Sequence, residues 1–120
     1  MTTRTILIVD DEPSSRWVFK KILDRTYSLL MAENGRPVLD ILRQTTVDLI
    51  LLDLLMPEVD GFKVLRRLKE EGATVPVIVA TAHPSQVPVA MELSYPVAAC
   101  VSKPIDARYL QETVAQVLGA

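Results

Sequence analysis

Four consecutive branched apolar residues, Leu49-Ile50-Leu51-Leu52, stand between Asp48 and Asp53. A run that short and unbroken suits a strand covered on both faces, as in a parallel sheet packed between helices. A piece of buried helix would carry a similar run, so the flanks decide. Met56-Pro57 closes the stretch, and Gly61 opens a pattern of helical period. Asp53 then carries its carboxylate at the C-terminal edge of a strand, the side on which open α/β sheets bind ligands. Taken alone, an Asp at a strand end reads as readily as a turn residue or a helix cap.

The rest of the chain repeats the arrangement. Apolar runs of strand length alternate five times with patterns of helical period, which predicts a doubly wound, flavodoxin-like (βα)5 sheet of five parallel strands in the order 2-1-3-4-5, folded as one domain over residues 1–120. Thr5 to Val9 reads as the first strand. Pro13 begins a helix whose apolar face is Val18, Phe19, Ile22 and Leu23. Tyr27 to Ala32 is a weaker second strand, followed by the Asn34-Gly35 turn and a helix from Pro37 with Val38, Leu39, Ile41 and Leu42 inward. After the third strand, a helix from about Gly61 to Glu70 should turn Phe62, Leu65 and Leu68 inward and Arg66, Arg67, Lys69 and Glu70 outward. Pro76 to Ala80 is the fourth strand. Pro84, Pro88 and Pro96 then restrict the fourth helix to a short or irregular piece beginning near Pro88. Ala98 to Val101 is the fifth strand, and Asp106 is placed to cap a last helix carrying Leu110, Val114, Val117 and Leu118.

Bulk properties exclude several classes. With 120 residues, 49% hydrophobic and 23% charged, the chain can bury a real core and is not disordered. A net charge of −2 gives no footprint for a phosphate backbone, so no direct nucleic-acid partner is expected. Cys100 is the only cysteine, which rules out an intramolecular disulfide and suits a reducing, cytoplasmic setting. The apolar start, Ile6 to Val9, is too short for a signal peptide core or a membrane span. Ala120 directly follows the last helical pattern, which leaves no room for an output domain. The chain reads as a stand-alone module or as a fragment of something longer.

Side chains with chemistry collect at the strand ends: Asp10 and Asp11 after the first, Asp53 after the third, Thr81 after the fourth and Lys103 after the fifth. Each is ordinary by itself. Paired acids after a strand are usually a solvated turn, Thr81 could be a simple cap, and a lone lysine is usually a surface lysine. In the order 2-1-3-4-5 all five converge on one crevice. Three adjacent carboxylates repel one another unless a cation joins them, and all-oxygen ligands with room for water favour Mg²⁺. One carboxylate is then free to attack a phosphoryl group. The cation, the Lys103 ammonium and the Thr81 hydroxyl would bear the charge on the phosphoryl oxygens.

The chain resembles the receiver domains of the response-regulator family of two-component signalling. The matching pieces are Ile6-Leu7-Ile8-Val9-Asp10-Asp11-Glu12-Pro13, Ala32-Glu33-Asn34-Gly35, Asp53-Leu54-Leu55-Met56-Pro57 with Asp60-Gly61, Thr81-Ala82 and Lys103-Pro104. The resemblance implies that Asp53 is the phospho-acceptor and that Asp10, Asp11, Asp53 and the Leu55 backbone carbonyl hold Mg²⁺. It also implies that Thr81 and Lys103 bind the phosphoryl oxygens and that the Lys103–Pro104 bond is cis. The implied partners are a histidine kinase or phosphotransfer protein and a downstream protein target, with no membrane contact and room for a weak homodimer. The module would be a switch that catalyses only its own phosphorylation and dephosphorylation.

Several positions depart from the family pattern. Cys100 stands where the family usually has Tyr or Phe, making it an atypical switch position and a small, buried thiol. Tyr95-Pro96-Val97 replaces a usual Gly-Ala. Leu55 cannot orient an attacking water, whereas His83 at the mouth could, although a solvated loop His is the plainer reading. Trp17, off the apolar face of the first helix, reads either as a partly packed surface aromatic or as a kinase contact. Three rivals share the fold. A phosphorylation-independent pseudo-receiver is kept alive by Cys100 and the prolines. A phosphohydrolase with an Asp nucleophile would want an acid where Leu55 stands. A flavin-binding domain would need a phosphate cradle where Asp10-Asp11-Glu12 repels one.

Overall fold

The computed structural model describes residues 3–54, 61–82, 95 and 97–119. Along the chain run β1 (Thr5–Val9), α1 (Pro13–Leu23), β2 (Ser28–Ala32), α2 (Val38–Gln44), β3 (Leu49–Leu52), α3 (Gly61–Glu70), β4 (Val77–Thr81), β5 (Val97–Ser102) and α4 (Ala107–Val117). All strands are parallel, in the order β2-β1-β3-β4-β5. The short fourth helix expected near Pro88 falls outside the described residues.

The unbroken run at Leu49–Leu52 became the middle strand because nothing in it needs water. All four residues are buried, and each face of the strand meets a separate apolar layer. Ile50 and Leu52 join Leu7, Val9, Val77 and Val79 under α2 and α3. Leu49 and Leu51 join Ile6, Ile8, Ile78 and Ala80 under α1 and α4. Two polar groups fix the lower end of the strand. The Asp48 amide donates to the Thr5 carbonyl at 2.8 Å, and Asp48 Oδ2 accepts from the Thr5 amide at 2.7 Å. The edge strands are less covered: β2 leaves Met31 exposed and β5 leaves Ala98 exposed.

Most helix faces follow the expected period. Phe19 and Leu23 are buried beneath α1, and Leu110 and Val114 beneath α4. Asp106 caps α4, its Oδ1 accepting from the Tyr109 amide at 2.9 Å. One face is wider than the apolar pattern suggested. Phe62 lies at the rim, half-buried, while Gly61, Val64, Leu65 and Leu68 form the buried face of α3, as the spacings of three and four residues require. Trp17 is 60% exposed, with the Lys21 ammonium 5.5 Å from its ring centroid.

β5 begins one residue earlier than the apolar run suggests and carries an irregularity. Val77 pairs with Val97 but Ile78 pairs with Ala99, so Ala98 is an extra residue in the ladder. Just before it, Tyr95 is only 2% exposed, its ring in the layer under α2 and α3. The Tyr95 hydroxyl donates to the Val75 carbonyl at 2.5 Å, tying the start of β5 to the approach of β4. Burial pushes its phenol above the usual range, which keeps it a neutral donor. Tyr95→Phe should lower the unfolding free energy by about 1 kcal/mol, the loss of one hydrogen bond. Tyr95→Ala should cost roughly 3 kcal/mol or more through the cavity left behind. Urea denaturation of both variants checks this, and equal costs would mean that the hydroxyl and not the ring holds this corner.

Candidate functional site

The register of the sheet brings the acids together. Val9 pairs with Leu52, so the next residues on the two strands, Asp10 and Asp53, leave the sheet side by side. The ladder continues past both strands. The Asp53 amide donates to the Val9 carbonyl at 3.0 Å, and the Asp10 amide donates to the Ala32 carbonyl at 3.1 Å. Thr81, buried, ends β4, and its carbonyl accepts from the Lys103 amide at 2.9 Å. The chain thereby crosses the end of β4 and delivers Lys103 to the crevice. The Lys103–Pro104 peptide bond is cis.

Asp10, Asp11 and Asp53 form a group whose ligand oxygens all lie within 4.8 Å of one another, the one such group among the described residues. Asp10 is 1% exposed, and every polar atom it has is engaged. Its Oδ2 accepts from Lys103 Nζ at 2.8 Å, its Oδ1 from the Glu12 amide at 2.9 Å and its carbonyl from Arg16 Nη1 at 2.7 Å. The Lys103 ammonium also lies 3.5 Å from Asp53 Oδ2 and 3.4 Å from Glu12 Oε1. Burial alone pulls the lysine pKa down. The hydrogen bond donated to Asp10 and the charges of Asp10, Asp53 and Glu12 outweigh it, so the group stays above its ordinary value. It is an ammonium throughout the neutral range.

Among the contacts of the described residues, three carboxylates meet one ammonium, which leaves the group acidic. The donors are all carboxylate oxygens, with no thiol or imidazole among them, so the set fits a hard divalent cation. A glycine presses on the same backbone. The Gly61 amide donates to the Leu54 carbonyl at 2.9 Å, and a Cβ at Gly61 would lie 2.5 Å from the Asp53 carbonyl oxygen and 2.6 Å from Leu54 Cα. Only a residue without a side chain lets α3 start against the Asp53 peptide.

Leu55 and His83, singled out in the sequence, lie outside the described residues. Cys100, opposite Val79 in β5, is half-buried instead of fully buried, because β5 is an edge strand. Burial nonetheless pushes its thiol up, which favours the protonated form at neutral pH. Sequence reasoning passed over Arg16 and did not foresee that Glu12 meets Lys103. The only signal available was their place within the first turn after Asp10-Asp11.

Two outcomes follow from this geometry. Gly61→Ala forces the Asp53–Leu54 backbone to move and should cost about 1–3 kcal/mol, the range for overpacking, as read by chemical denaturation. Lys103→Met strands the Asp10 carboxylate and should cost about 3–5 kcal/mol at neutral pH. Because the folded lysine pKa is raised, the contribution of Lys103 is fully present below the unfolded value of about 10.4 and is lost as pH rises through the folded value. Denaturation curves of wild type and Lys103→Met should run parallel from pH 7 to about 10 and converge above that. Curves already converging below pH 9 would remove the ion pair from the account.

Comparison with known proteins identifies the family. The family model described as response regulator receiver domain matches residues 6–115. The sensor histidine kinase RcsC of Salmonella typhimurium is 32% identical over 111 residues, covering 92% of this chain and 12% of RcsC. The DNA-binding transcriptional regulator NtrC of Proteus hauseri is 38% identical over 84 residues, covering 69% of this chain and 18% of NtrC. The chain thus spans less than a fifth of the length of either relative. Among solved structures, the signal receiver domain of a signal transduction histidine kinase from Syntrophus aciditrophicus matches with a TM-score of 0.83 at 34% identity, covering 97% of this chain and 90% of that one. With the five-stranded order, the acid cluster and the lysine on one crevice, the chain belongs to the response regulator receiver family, the regulatory domains of two-component signalling.

Proposed function

We propose that this receiver accepts a phosphoryl group on Asp53 from a histidine kinase or phosphotransfer protein, in a Mg²⁺-dependent reaction, and passes the signal to a downstream protein target. The observation that carries the reading is the cluster of Asp10, Asp11 and Asp53 oxygens within 4.8 Å, bridged by Lys103. A phosphorylation-independent module has no use for such a costly arrangement of charge.

In this reading one carboxylate oxygen of Asp53 attacks phosphorus. The new P–O bond forms as the P–N bond to the donor imidazole breaks, and the ring nitrogen leaves with the bonding pair and takes up a proton. Asp10, Asp11 and Asp53, with the Leu55 carbonyl, would hold Mg²⁺, which supplies charge neutralisation to the phosphoryl oxygens. Lys103 Nζ, already 3.5 Å from Asp53 Oδ2, needs little movement to meet a phosphoryl oxygen. The Thr81 hydroxyl is assigned to another. Beside Lys103 opens a cavity of about 200 Å³ lined by Ser14, Ser15, Val18, Lys103, Pro104 and Ile105, which gives the donor a partly apolar wall to pack against. No described helix is long and apolar enough to cross a membrane. The free thiol suits a reducing compartment, and the cytoplasm is assigned on that ground.

The test uses a small phosphodonor with Mg²⁺ and locates added phosphate by mass. Wild type should carry one phosphoryl group on the peptide containing Asp53, and a chelator should abolish it. Asp53→Asn should take up none, and Asp11→Ala should need a higher Mg²⁺ concentration. Uptake by Asp53→Asn at the wild-type level would sink the assignment.

A further inference from the structure

The two peptide planes that flank Asp11 are both held by named groups. Arg16, in α1, donates from Nη1 to the Asp10 carbonyl at 2.7 Å, and that carbonyl belongs to the plane leading into Asp11. The Glu12 amide belongs to the plane leaving Asp11, and it donates to Asp10 Oδ1 at 2.9 Å. The Arg16 amide in turn donates to the Glu12 carbonyl at 3.1 Å, so one residue is tied to both ends of the turn. The Arg16 side chain is 17% exposed, and its Nη2 lies 3.8 Å from Glu33 Oε1, beyond the end of β2. The backbone has two soft dihedrals per residue, so fixing both flanking planes fixes the direction of the Asp11 Cα–Cβ bond and narrows the region its carboxylate can reach.

We infer that Arg16 is a positioning residue: its guanidinium fixes the Asp10–Asp11 peptide plane and so holds the Asp11 carboxylate where it can share a cation with Asp10 and Asp53. This rests on the Mg²⁺ reading proposed above. Arg16 has two opposed effects on such a cation, and their signs separate them. As a positive charge it repels the ion, so losing charge alone tightens binding. As a clamp it preorganises a ligand, so losing it weakens binding. The clamp is taken as the larger effect, because the guanidinium bonds the Asp10 carbonyl directly at 2.7 Å.

The experiment titrates Mg²⁺ alone into wild type, Arg16→Met and Arg16→Lys by calorimetry, and reads amide hydrogen exchange at Glu12 in the metal-free proteins. Arg16→Met keeps an apolar stem and removes the fork; it should bind Mg²⁺ roughly tenfold more weakly, the low end for loss of an outer partner of a metal ligand. Its Glu12 amide should exchange faster while the fold, checked by circular dichroism, persists. Arg16→Lys keeps the charge without the fork and should also bind more weakly, which a purely electrostatic role would not produce. Binding by Arg16→Met that is unchanged or tighter overturns the inference, as does unchanged exchange at Glu12. If Arg16→Met fails to fold, Arg16→Lys carries the same comparison. If wild type binds no Mg²⁺, the cation reading falls first, and exchange at Glu12 then decides by itself whether Arg16 fixes the turn.

Discussion

The Lys103 ammonium is the contact on which the crevice depends. Asp10 and Asp53 end neighbouring strands and are both almost fully buried, so without a counter-charge the folded state would have to protonate one of them or open to water. Lys103 comes from the far side of β4 and is brought over its end by a main-chain hydrogen bond to Thr81. One lysine therefore joins the ends of β1, β3 and β5 in a single electrostatic unit. It balances only part of the charge there. The remainder makes the site receptive to a cation and accounts for a polar crevice at the top of an otherwise apolar sheet.

Such a unit needs a frame that does not relax around it. The inner strands provide one, since β1, β3 and β4 are buried along nearly their whole length and packed on both sides. The outer strands are looser, with exposed positions on β2 and β5 and an extra residue in the β4–β5 ladder. Asp10 and Asp53 sit on the stiff part, whereas Lys103 arrives from an edge. The carboxylates are thus fixed and the ammonium is the member able to adjust. Gly61 enforces the same division from another side, because α3 abuts the Asp53 backbone with no space between them.

How much of this the sequence disclosed varies with the kind of information involved. Strand order, the meeting of Asp10, Asp11, Asp53 and Lys103, and the place of Thr81 at the end of β4 were legible, because period and apolar run length are local and the connection rules of parallel sheets do the rest. Phe62 packs against the core from its rim, as its aromatic character suggested, while Val64, which the apolar pattern passed over, is fully buried beside Leu65 and Leu68. Tyr95 read as a departure and proved to be an anchor, since its hydroxyl partner is a main-chain carbonyl and leaves no mark in the sequence. Arg16 escaped for the same reason: it bonds the Asp10 carbonyl, and an arginine on a first helix is otherwise unremarked. What sequence reading loses is the side-chain-to-backbone bond.

The three contacts of Lys103 are not equivalent, and their differences suggest how the crevice would respond to added charge. The bond to Asp10 is short, at 2.8 Å, and its carboxylate is 1% exposed; breaking it would strand a buried charge. The contact with Glu12 is longer, at 3.4 Å, and its carboxylate side chain is 58% exposed, so water replaces the lysine there at little cost. The contact with Asp53 is the longest, at 3.5 Å, yet it lies on the oxygen-bearing group that would carry a phosphoryl. New negative charge on Asp53 strengthens that third contact and leaves the first intact, so the displacement falls on Glu12. Glu12 is the N-cap residue of α1, and it makes no side-chain cap bond that would resist the change. Among the described elements, α1 is the one whose N-cap acid touches the lysine, so a charge placed on Asp53 would reach the start of α1 through an exposed and easily solvated Glu12.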